Sequence, residues 1–428
     1  MDAELLIAAL AGALLGLVAS ALPGLHVNLL ATAVLVARPQ PQMAPFLVAA
    51  FAASPFGMAL SSTFLGGPSD DAALSSLPAQ QLAKEGRVRE AVALQCWGAL
   101  LGLLLALPLA LAVRALLVPL APHLASAMPW LLLAIVALLV WSEPRTLRWP
   151  ARVPWGSRMR IEDIDVSPGS RALGRAAALG VIVLSGALGL AAFRLGAASP
   201  LGWPASPLLP LLAGMFALPA LVATARAPPK RVRALLRAPR ERMSALVRGA
   251  WPGAAVSVTL GLVPGVSASH ASLLAPRVRS PERALVRLAA VNGGAVVFTL
   301  LAWHALGRAR SGALVAAQTL AAPALWVRIA PPHAILVEGA LVVAAALLAC
   351  LATRAVAGSL ARAPPRPLAL VGLALLLASV ALFNGALGLL VLGAAALVGA
   401  LPARAGLRRS HLMGAILVPA MLRAWSLV

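Results

Sequence analysis

Long apolar runs alternate with short polar stretches along the whole chain. The runs lie near residues 4–22, 43–65, 90–119, 123–142, 171–193, 206–225, 244–263, 284–303, 311–328, 332–353, 367–382, 385–402 and 410–428. A run of about 20 apolar residues crosses a bilayer as a helix, whereas a β-barrel strand would alternate apolar and polar residues. The pattern predicts an all-α polytopic membrane protein with about 12–14 transmembrane segments.

A similar interruption occurs in an apolar run of each half. In the first half, Pro23-Gly24 leads to His26 and Asn28; in the second half, Pro264-Gly265 leads to Ser267, Ser269 and His270. Proline removes an intrahelical hydrogen bond and glycine permits non-helical backbone angles, so each helix is expected to stop here and restart beyond the break. Two shorter apolar pieces, 26–37 and 266–276, follow the breaks.

A helix that restarts inside a membrane presents free N–H groups and the positive end of its dipole, which together bind anions. Matched interruptions in two halves indicate a transporter site, although a structural kink is the alternative because Pro and Gly are frequent in membrane helices. Asn292 is a further candidate, because the adjacent Gly293 and Gly294 permit close helix approach and Asn292 is then expected to face the second break. The predicted substrate-binding residues are Pro23, Gly24, His26, Asn28, Pro264, Gly265, Ser267, Ser269, His270 and Asn292.

Four residues are candidates for binding a coupling ion, Na⁺ or H⁺. Asp70 and Asp71 follow a Gly-Gly-Pro break, and Ser62 stands at the end of the apolar run before it. Glu338 lies inside an apolar run, where an ionisable group is costly and tends to be functional. The alternatives are a capped surface loop for the two aspartates and a hydrogen bond to a polar neighbour for Glu338. Isolated polar residues in other apolar runs are interpreted as interhelical hydrogen-bonding residues: Gln95, His304, Gln318 and Asn384.

The net charge of +22 is informative because of where the basic residues lie along the chain. Basic residues concentrate between the apolar runs, which is the positive-inside pattern and assigns loops 143–170 and 226–248 to the cytoplasm. The chain has no Tyr and no aromatic-rich basic patch, so nucleic acid is not an expected partner. The predicted organisation is a first membrane repeat (1–142), a polar cytoplasmic loop (143–170), linking helices (171–225), a basic cytoplasmic loop (226–248), and a second membrane repeat with C-terminal helices (249–428).

The motifs of common enzyme classes are missing from the sequence. It contains no HExxH, GxxxxGK, CxxC or GxSxG pattern, and His26 and His270 have no second ligand at helical spacing. We therefore predict no catalytic residue, no metal site, no cofactor and no enzymatic activity. A membrane-embedded enzyme or an assembly scaffold stays as a minor alternative. Without a nucleotide-binding motif, transport is expected to be driven by an ion gradient or by a partner.

Several stretches resemble the large permease subunit of the tripartite tricarboxylate transporters, the TctA family, in particular its shorter prokaryotic branch. They are PGLHVN at 23–28, FLGGPSDDAALSSLP at 64–78, PLLPLLAGMFALPAL at 207–221, VPGVSASHASLLAP at 263–276 and GLRRSHLMGAILVP at 406–419. The resemblance implies a multi-pass plasma-membrane permease for carboxylate anions, driven by a cation gradient. It also implies two partners, a periplasmic or extracellular solute-binding protein and a small membrane subunit.

A second resemblance leads to an alternative function. The VPGVSAS stretch is similar to the breaks of a polyprenyl-phosphate transporter family, and a phosphate headgroup would suit the same helix N-termini. The topology also stays open. If each Pro-Gly segment crosses the membrane, the basic stretches near 308, 354–366 and 404–409 fall on the cytoplasmic side, at the cost that Arg277, Arg279 and Arg283 face outward. If each forms a re-entrant hairpin, the agreement of those basic stretches with the cytoplasmic side weakens. Whether the two repeats are parallel or inverted is open as well.

Overall fold

The computed structural model describes residues 3–22, 27–37, 40–65, 78–83, 85–143, 168–196, 198–203, 205–226, 242–263, 268, 271, 274–275, 278, 280–307, 309, 311–320, 332–360 and 365–427. All regular secondary structure in these ranges is helical. The helices are α1 (Ala3–Ala21), α2 (Val27–Ala37), α3 (Met43–Phe64), α4 (Val88–Trp141), α5 (Pro168–Arg194), α6 (Leu208–Arg226), α7 (Met243–Val256), α8 (Val258–Leu262), α9 (Pro281–Leu306), α10 (Gly312–Leu320), α11 (Pro332–Leu360), α12 (Pro365–Ala405) and α13 (Gly414–Ala424). A π-helical turn, Ala213–Ala217, lies within α6, and a 3₁₀-helix, Arg409–Met413, precedes α13.

Eight of the described helices are long and apolar enough to cross a membrane. Large apolar side chains such as Ile7, Leu111 and Leu390 are exposed on the helix surfaces. A surface of this kind is stable against lipid and unstable against water. The prediction of an all-α polytopic membrane protein is confirmed.

One of two predicted boundaries between spans differs from the structure. The runs 90–119 and 123–142 form one helix, α4, whose 54 residues include Pro119 and Pro122. At about 1.5 Å per residue α4 is roughly 80 Å long, more than twice the thickness of the hydrocarbon core. The predicted boundary near 382–385 is present, because Gly385 has a φ of 62° and interrupts α12 with a non-helical residue.

The first hairpin consists of α1, α2 and α3. Gly12 of α1 packs on the backbone of Phe46 in α3, and Gly16 packs on that of Ala50. An advance of four residues along α1 therefore corresponds to an advance of four residues along α3. The two helices therefore run in the same direction, side by side. Since α2 connects them, it has to carry the chain back toward the start of α3.

The second hairpin repeats this arrangement. Gly249 of α7 faces Val286 of α9, and Gly261 of α8 packs on the backbone of Phe298, so α7–α8 and α9 are also parallel. Between them, Ala268 and Ala271 are buried against Val256, Leu260 and Val291. The chain beyond α8 has thus returned alongside α7 and α8 before α9 begins. In both hairpins the chain therefore reverses direction between two parallel helices.

The two hairpins enter the helical bundle from opposite ends. Helix α4 is parallel to α9, because Gly98 faces Val286 and Gly102 packs on Ala290. Ser62, at the end of α3, contacts Gln95 near the start of α4, whereas α10, which follows the end of α9, packs against the body of α3. Helix α3 therefore runs against α4 and α9, so the two hairpins run in opposite directions.

The basic residues that flank these helices share one end of the bundle. Arg87, just before α4, forms ion pairs with Glu90 and with Glu282 at the start of α9. Arg89 contacts Gly358, near the end of α11, so α11 runs antiparallel to α4. Arg283 consequently lies at the same end as the start of α7 and the end of α11, on the side to which the positive-inside pattern assigns the cytoplasm.

The buried apolar residues separate the helices into two groups. One group contains α1, α2, α3, the N-terminal part of α4 and α9 to α11, with α7 packed beside it. The other contains the C-terminal part of α4 together with α5, α6, α12 and α13. The C-terminal helices therefore pack with the linking helices, and the long helix α4 belongs to both groups.

Candidate functional site

Asn28, the second residue of α2, joins the first hairpin to α10. Its side-chain oxygen Oδ1 accepts hydrogen bonds from Ser311 Oγ and from the backbone amide of Ala313, each at 3.2 Å. A Cβ atom on Gly312 would lie 2.9 Å from Asn28 Cγ, so a larger residue there would displace the asparagine. Asn28 therefore caps α10, and the N-terminal ends of α2 and α10 meet at this side chain.

Asn292 is the other predicted substrate-binding residue that the structure describes. It is half-buried on α9, next to Val291, which packs against Ala268 and Ala271 of the second hairpin. Gly293 lies so close to Ala99 that a Cβ atom would come within 1.9 Å of the Ala99 carbonyl oxygen. The predicted close approach at this glycine is present. The remaining predicted substrate-binding residues lie outside the described residues: Pro23, Gly24, His26, Pro264, Gly265, Ser267, Ser269 and His270.

Ser62 is fully buried and joins α3 to α4. Its hydroxyl lies 2.7 Å from Gln95 Oε1, while Gln95 Nε2 donates to Thr63 Oγ1 at 3.0 Å and to the Ala91 carbonyl at 3.2 Å. These contacts satisfy the polar groups of Ser62 and Gln95 within the protein. Gln95 thus has the predicted role of an interhelical hydrogen-bonding residue. Asp70 and Asp71 lie outside the described residues.

Glu338 forms a close pair with His304. The carboxylate Oε2 lies 2.5 Å from the imidazole Nε2, and the side chains are 6% and 14% exposed. His304 stands in the last turn of α9 and Glu338 in the first part of α11, so the contact ties two antiparallel helices together. The imidazole ring of His304 also stacks on the ring of Trp303, with the ring centroids 5.0 Å apart. The partner of Glu338 is therefore one of the isolated polar residues noted in the sequence.

A second buried Glu–His pair lies in the other group of helices. Glu143, just beyond α4, has its Oε2 atom 2.7 Å from His411 Nε2, and neither side chain is exposed. The amide of Arg408 also donates to this carboxylate at 3.3 Å. Burial alone would raise the pKa of Glu143, but the contacts with His411 and Arg408 outweigh it and lower the pKa below the usual range of a glutamate.

Arg409 lies beside this second pair, in the same 3₁₀-helix as His411. Its Nη2 atom donates to the Phe216 carbonyl in the π-helical turn at 3.2 Å. A π-helical turn displaces carbonyl groups from regular hydrogen bonding, which explains how this oxygen can accept from a side chain. Burial lowers the pKa of Arg409 to about 10, so the guanidinium is still charged at neutral pH.

Sequence analysis did not identify Glu143 and His411 as a pair. Each stands at the end of an apolar run, where polar residues are expected and carry no signal of their own. The separation of 268 positions gives no local spacing to detect. The one available sign was the occurrence of His411 in the GLRRSHLMGAILVP stretch that carries the family resemblance.

Three of the predicted site residues that the structure describes form a hydrogen bond or close polar contact with a residue that was not predicted as part of the site. For the fourth, Asn292, the structure gives its position on α9. Asn28 contacts Ser311 and Ala313, Ser62 contacts Gln95, and Glu338 contacts His304. The Asn28 contact can fix a helix end, the Ser62 contact can hold two helices together, and the Glu338 contact can hold a proton. They include no arrangement of nucleophile and base among the described residues.

Comparison with known proteins supports the resemblance found in the sequence. The model of the tripartite tricarboxylate transporter TctA family matches residues 6–414, nearly the whole chain. No curated protein and no solved structure matched the chain. The family match and the eight long apolar helices identify a multi-pass protein of the plasma membrane and a transporter permease. The chain belongs to the tripartite tricarboxylate transporter TctA family.

Proposed function

We propose that the chain carries small organic anions, di- or tricarboxylates, into the cell and couples their movement to a cation gradient. The observation that carries this proposal is the meeting of the N-terminal ends of α2 and α10 at Asn28. The positive ends of two helix dipoles then point toward one region around Asn28. Such a region attracts a carboxylate without a buried Lys or Arg.

Two hairpins that enter from opposite ends support the same proposal. In sequence, Pro23-Gly24 follows α1 and Pro264-Gly265 follows α8, so the two breaks occupy equivalent positions of inverted repeats. Inverted repeats with interrupted helices are a common transporter design, with the substrate bound between the repeats. We assign substrate binding to the region of the breaks, with His26 and Asn28 from one and Ser267, Ser269 and His270 from the other.

The partners are also proposals. A tripartite transporter consists of three components, so membership of this family implies two further components. We assign to this chain a secreted solute-binding protein that delivers the anion and a small membrane subunit. Genes for both beside the gene of this chain would support that assignment.

Uptake by the purified chain in proteoliposomes tests the proposed function. We expect an imposed sodium or proton gradient to drive uptake of at least one labelled di- or tricarboxylate, with the solute-binding protein added on the outside. Transfer of a short-chain polyprenyl phosphate in the absence of any carboxylate uptake would overturn the proposal. Replacing Gly24 or Gly265 by Leu should abolish uptake without loss of membrane insertion, and unchanged uptake would remove the breaks from the site.

Asp70 and Asp71 are kept as candidate ligands of a coupling cation. Their replacement by Asn removes charge with little change of shape. If they bind the cation, Asp70→Asn and Asp71→Asn should alter the dependence of uptake on sodium concentration or on pH. An unaltered ion dependence would assign both residues to capping.

A further inference from the structure

We infer that Glu338 and His304 form the proton-binding site through which this permease uses a proton gradient. The inference rests on the proposed function, because it names the coupling ion and the groups that hold it. It starts from the 2.5 Å contact between Glu338 Oε2 and His304 Nε2. Both side chains are nearly enclosed, so the contact is formed away from bulk water.

The surroundings of the pair are apolar. Helix α3, which packs on both α9 and α11, contains no ionisable residue. Because Gly98 of α4 lies beside Val286 of α9 and the two helices are parallel, Arg114 lies near the level of His304. The Arg114 side chain is exposed, and so is that of Glu4 in α1. His333 precedes Glu338 on α11, and His123 lies farther along α4 and is exposed. Arg87, just before α4, stands toward the opposite end of these helices, as do the remaining ionisable residues of α4, α7, α9 and α11: Arg89, Glu90, Cys96, Arg248, Glu282, Arg283, Arg287, Cys350 and Arg354.

The charge of the pair explains why its proton would control whether the pair can be enclosed away from water. With one proton shared by the two groups, the pair carries no net charge, whether as carboxylic acid and imidazole or as carboxylate and imidazolium. Release of that proton leaves an ionised Glu338 beside a neutral imidazole, and the pair then has a net charge of −1. A buried net charge is far less stable than a neutral pair, so the empty pair requires water whereas the loaded pair can be enclosed.

The ligand chemistry favours a proton over sodium. A hard cation such as Na⁺ needs several oxygen ligands around it. Here the near oxygen of Glu338 faces a ring nitrogen, which repels a cation when it is protonated. The other carboxylate oxygen, Oε1, is buried and has no hydrogen-bond partner among the residues that the structure describes, so the proton can also be held on this oxygen.

The position of the pair connects it with the proposed anion site. His304 ends α9, and the segment that follows leads to Ser311 and Ala313, which donate hydrogen bonds to Asn28. A change in the contact between His304 and Glu338 would therefore reach the N-terminal ends of α10 and α2 through the short length of chain that follows α9. Loading of the proton and enclosure of the anion can be coupled in this way.

The first experiment compares net uptake with exchange in proteoliposomes. We expect Glu338→Gln to lose accumulation driven by a pH gradient but to retain exchange of labelled for unlabelled carboxylate, since exchange requires no net proton movement. Glu338→Asp, which keeps a titratable group, should retain accumulation with a shifted pH profile. The matched control is Glu143→Gln, which alters the other buried Glu–His pair and should retain pH-driven accumulation. Accumulation by Glu338→Gln under a pH gradient, or uptake by the unmodified chain that sodium drives and pH does not affect, would overturn the inference.

The second experiment needs no substrate and so separates this inference from the proposed function. Infrared difference spectra between acid and alkaline buffers detect the carbonyl band of a carboxylic acid that gains or loses a proton. We expect such a band in the unmodified protein, its loss in Glu338→Gln, and a shift in His304→Gln. A band that is unchanged in Glu338→Gln would overturn the inference even if carboxylate uptake is established. Absence of all carboxylate transport with the band assigned to Glu338 would instead overturn the proposed function alone.

Discussion

The side-chain oxygen of Asn28 accepts a hydrogen bond from the backbone amide of Ala313 across 3.2 Å. The two residues belong to different halves of the chain, so the contact fixes the first hairpin against the short helix α10. An asparagine from another segment thereby takes the place of a local N-cap. The same side chain stands at the start of α2, where the first interruption of the sequence ends.

Substitutions at Asn28 separate its capping role from its place near an anion. We expect Asn28→Ala to lower the stability of the protein by about 1 kcal/mol, the usual effect of losing a helix cap. Asn28→Asp keeps the acceptor oxygen but adds a negative charge, so it should retain stability and raise the substrate concentration needed for half-maximal uptake. Thermal unfolding in detergent and concentration-dependent uptake are the measurements. Normal uptake by Asn28→Asp would show that the substrate does not come near this residue.

The inverted hairpins predict which residues are reachable from each side of the membrane. In a background with Cys96→Ala and Cys350→Ala, we expect Arg242→Cys and Arg283→Cys to react with an impermeant thiol reagent from the cytoplasmic face. Ala309→Cys, beyond the other end of α9, should react from the outside. The reason is that α7 and α9 begin at the same end of the bundle. Labelling of positions 242 and 283 from opposite faces would contradict the parallel arrangement of α7 and α9.

Gly293 is predicted to be intolerant of even a methyl group. The Cβ atom of Gly293→Ala would meet the carbonyl oxygen of Ala99, so α4 and α9 would have to separate. Overpacking of this kind typically costs about 1–3 kcal/mol. The matched control is Gly180→Ala in α5, where no atom lies within 4 Å of the new Cβ, and which should be neutral or stabilising by up to about 1 kcal/mol. Equal melting temperatures for the two variants would contradict the close packing.

The membrane helices could be predicted from the sequence because burial in lipid requires long apolar runs. Their boundaries were less predictable. Pro119 and Pro122 indicated a break, yet they lie within α4, because neighbouring helices and local adjustments can satisfy the backbone groups that proline leaves free. The direction of each hairpin also depended on close contacts such as Gly12 with Phe46, which no local pattern reveals.

The polar contacts were predictable only in part. Glu338 was identified because an acid inside an apolar run requires a partner. Its partner, His304, is 34 positions away on another helix, so the pairing depends on how α9 and α11 pack. Asn28 was identified from its place after the first break, but its contact with Ala313 depends on the meeting of two short helices from different halves.

The Glu143–His411 pair predicts a specific dependence of stability on pH. The pKa of Glu143 in the folded protein lies below its unfolded value, which is about 4.3 for a glutamate. The stabilisation from this carboxylate is therefore fully present above that unfolded value and is lost as the pH falls through the folded value. In Glu143→Gln we expect stability near neutral pH to fall by about 3 kcal/mol, because His411 loses its buried partner.

The variant should also show a weaker decline of stability in acid, since the group that titrates is gone. Melting temperatures in detergent, measured from neutral to acidic buffers, give both quantities. Glu85→Gln is the control: Glu85 is half-exposed beside Arg87, and a surface ion pair contributes only about 0–1 kcal/mol. If Glu143→Gln and the unmodified protein lose stability in parallel as the pH falls, acid sensitivity arises from other carboxylates and the buried pair has no part in it.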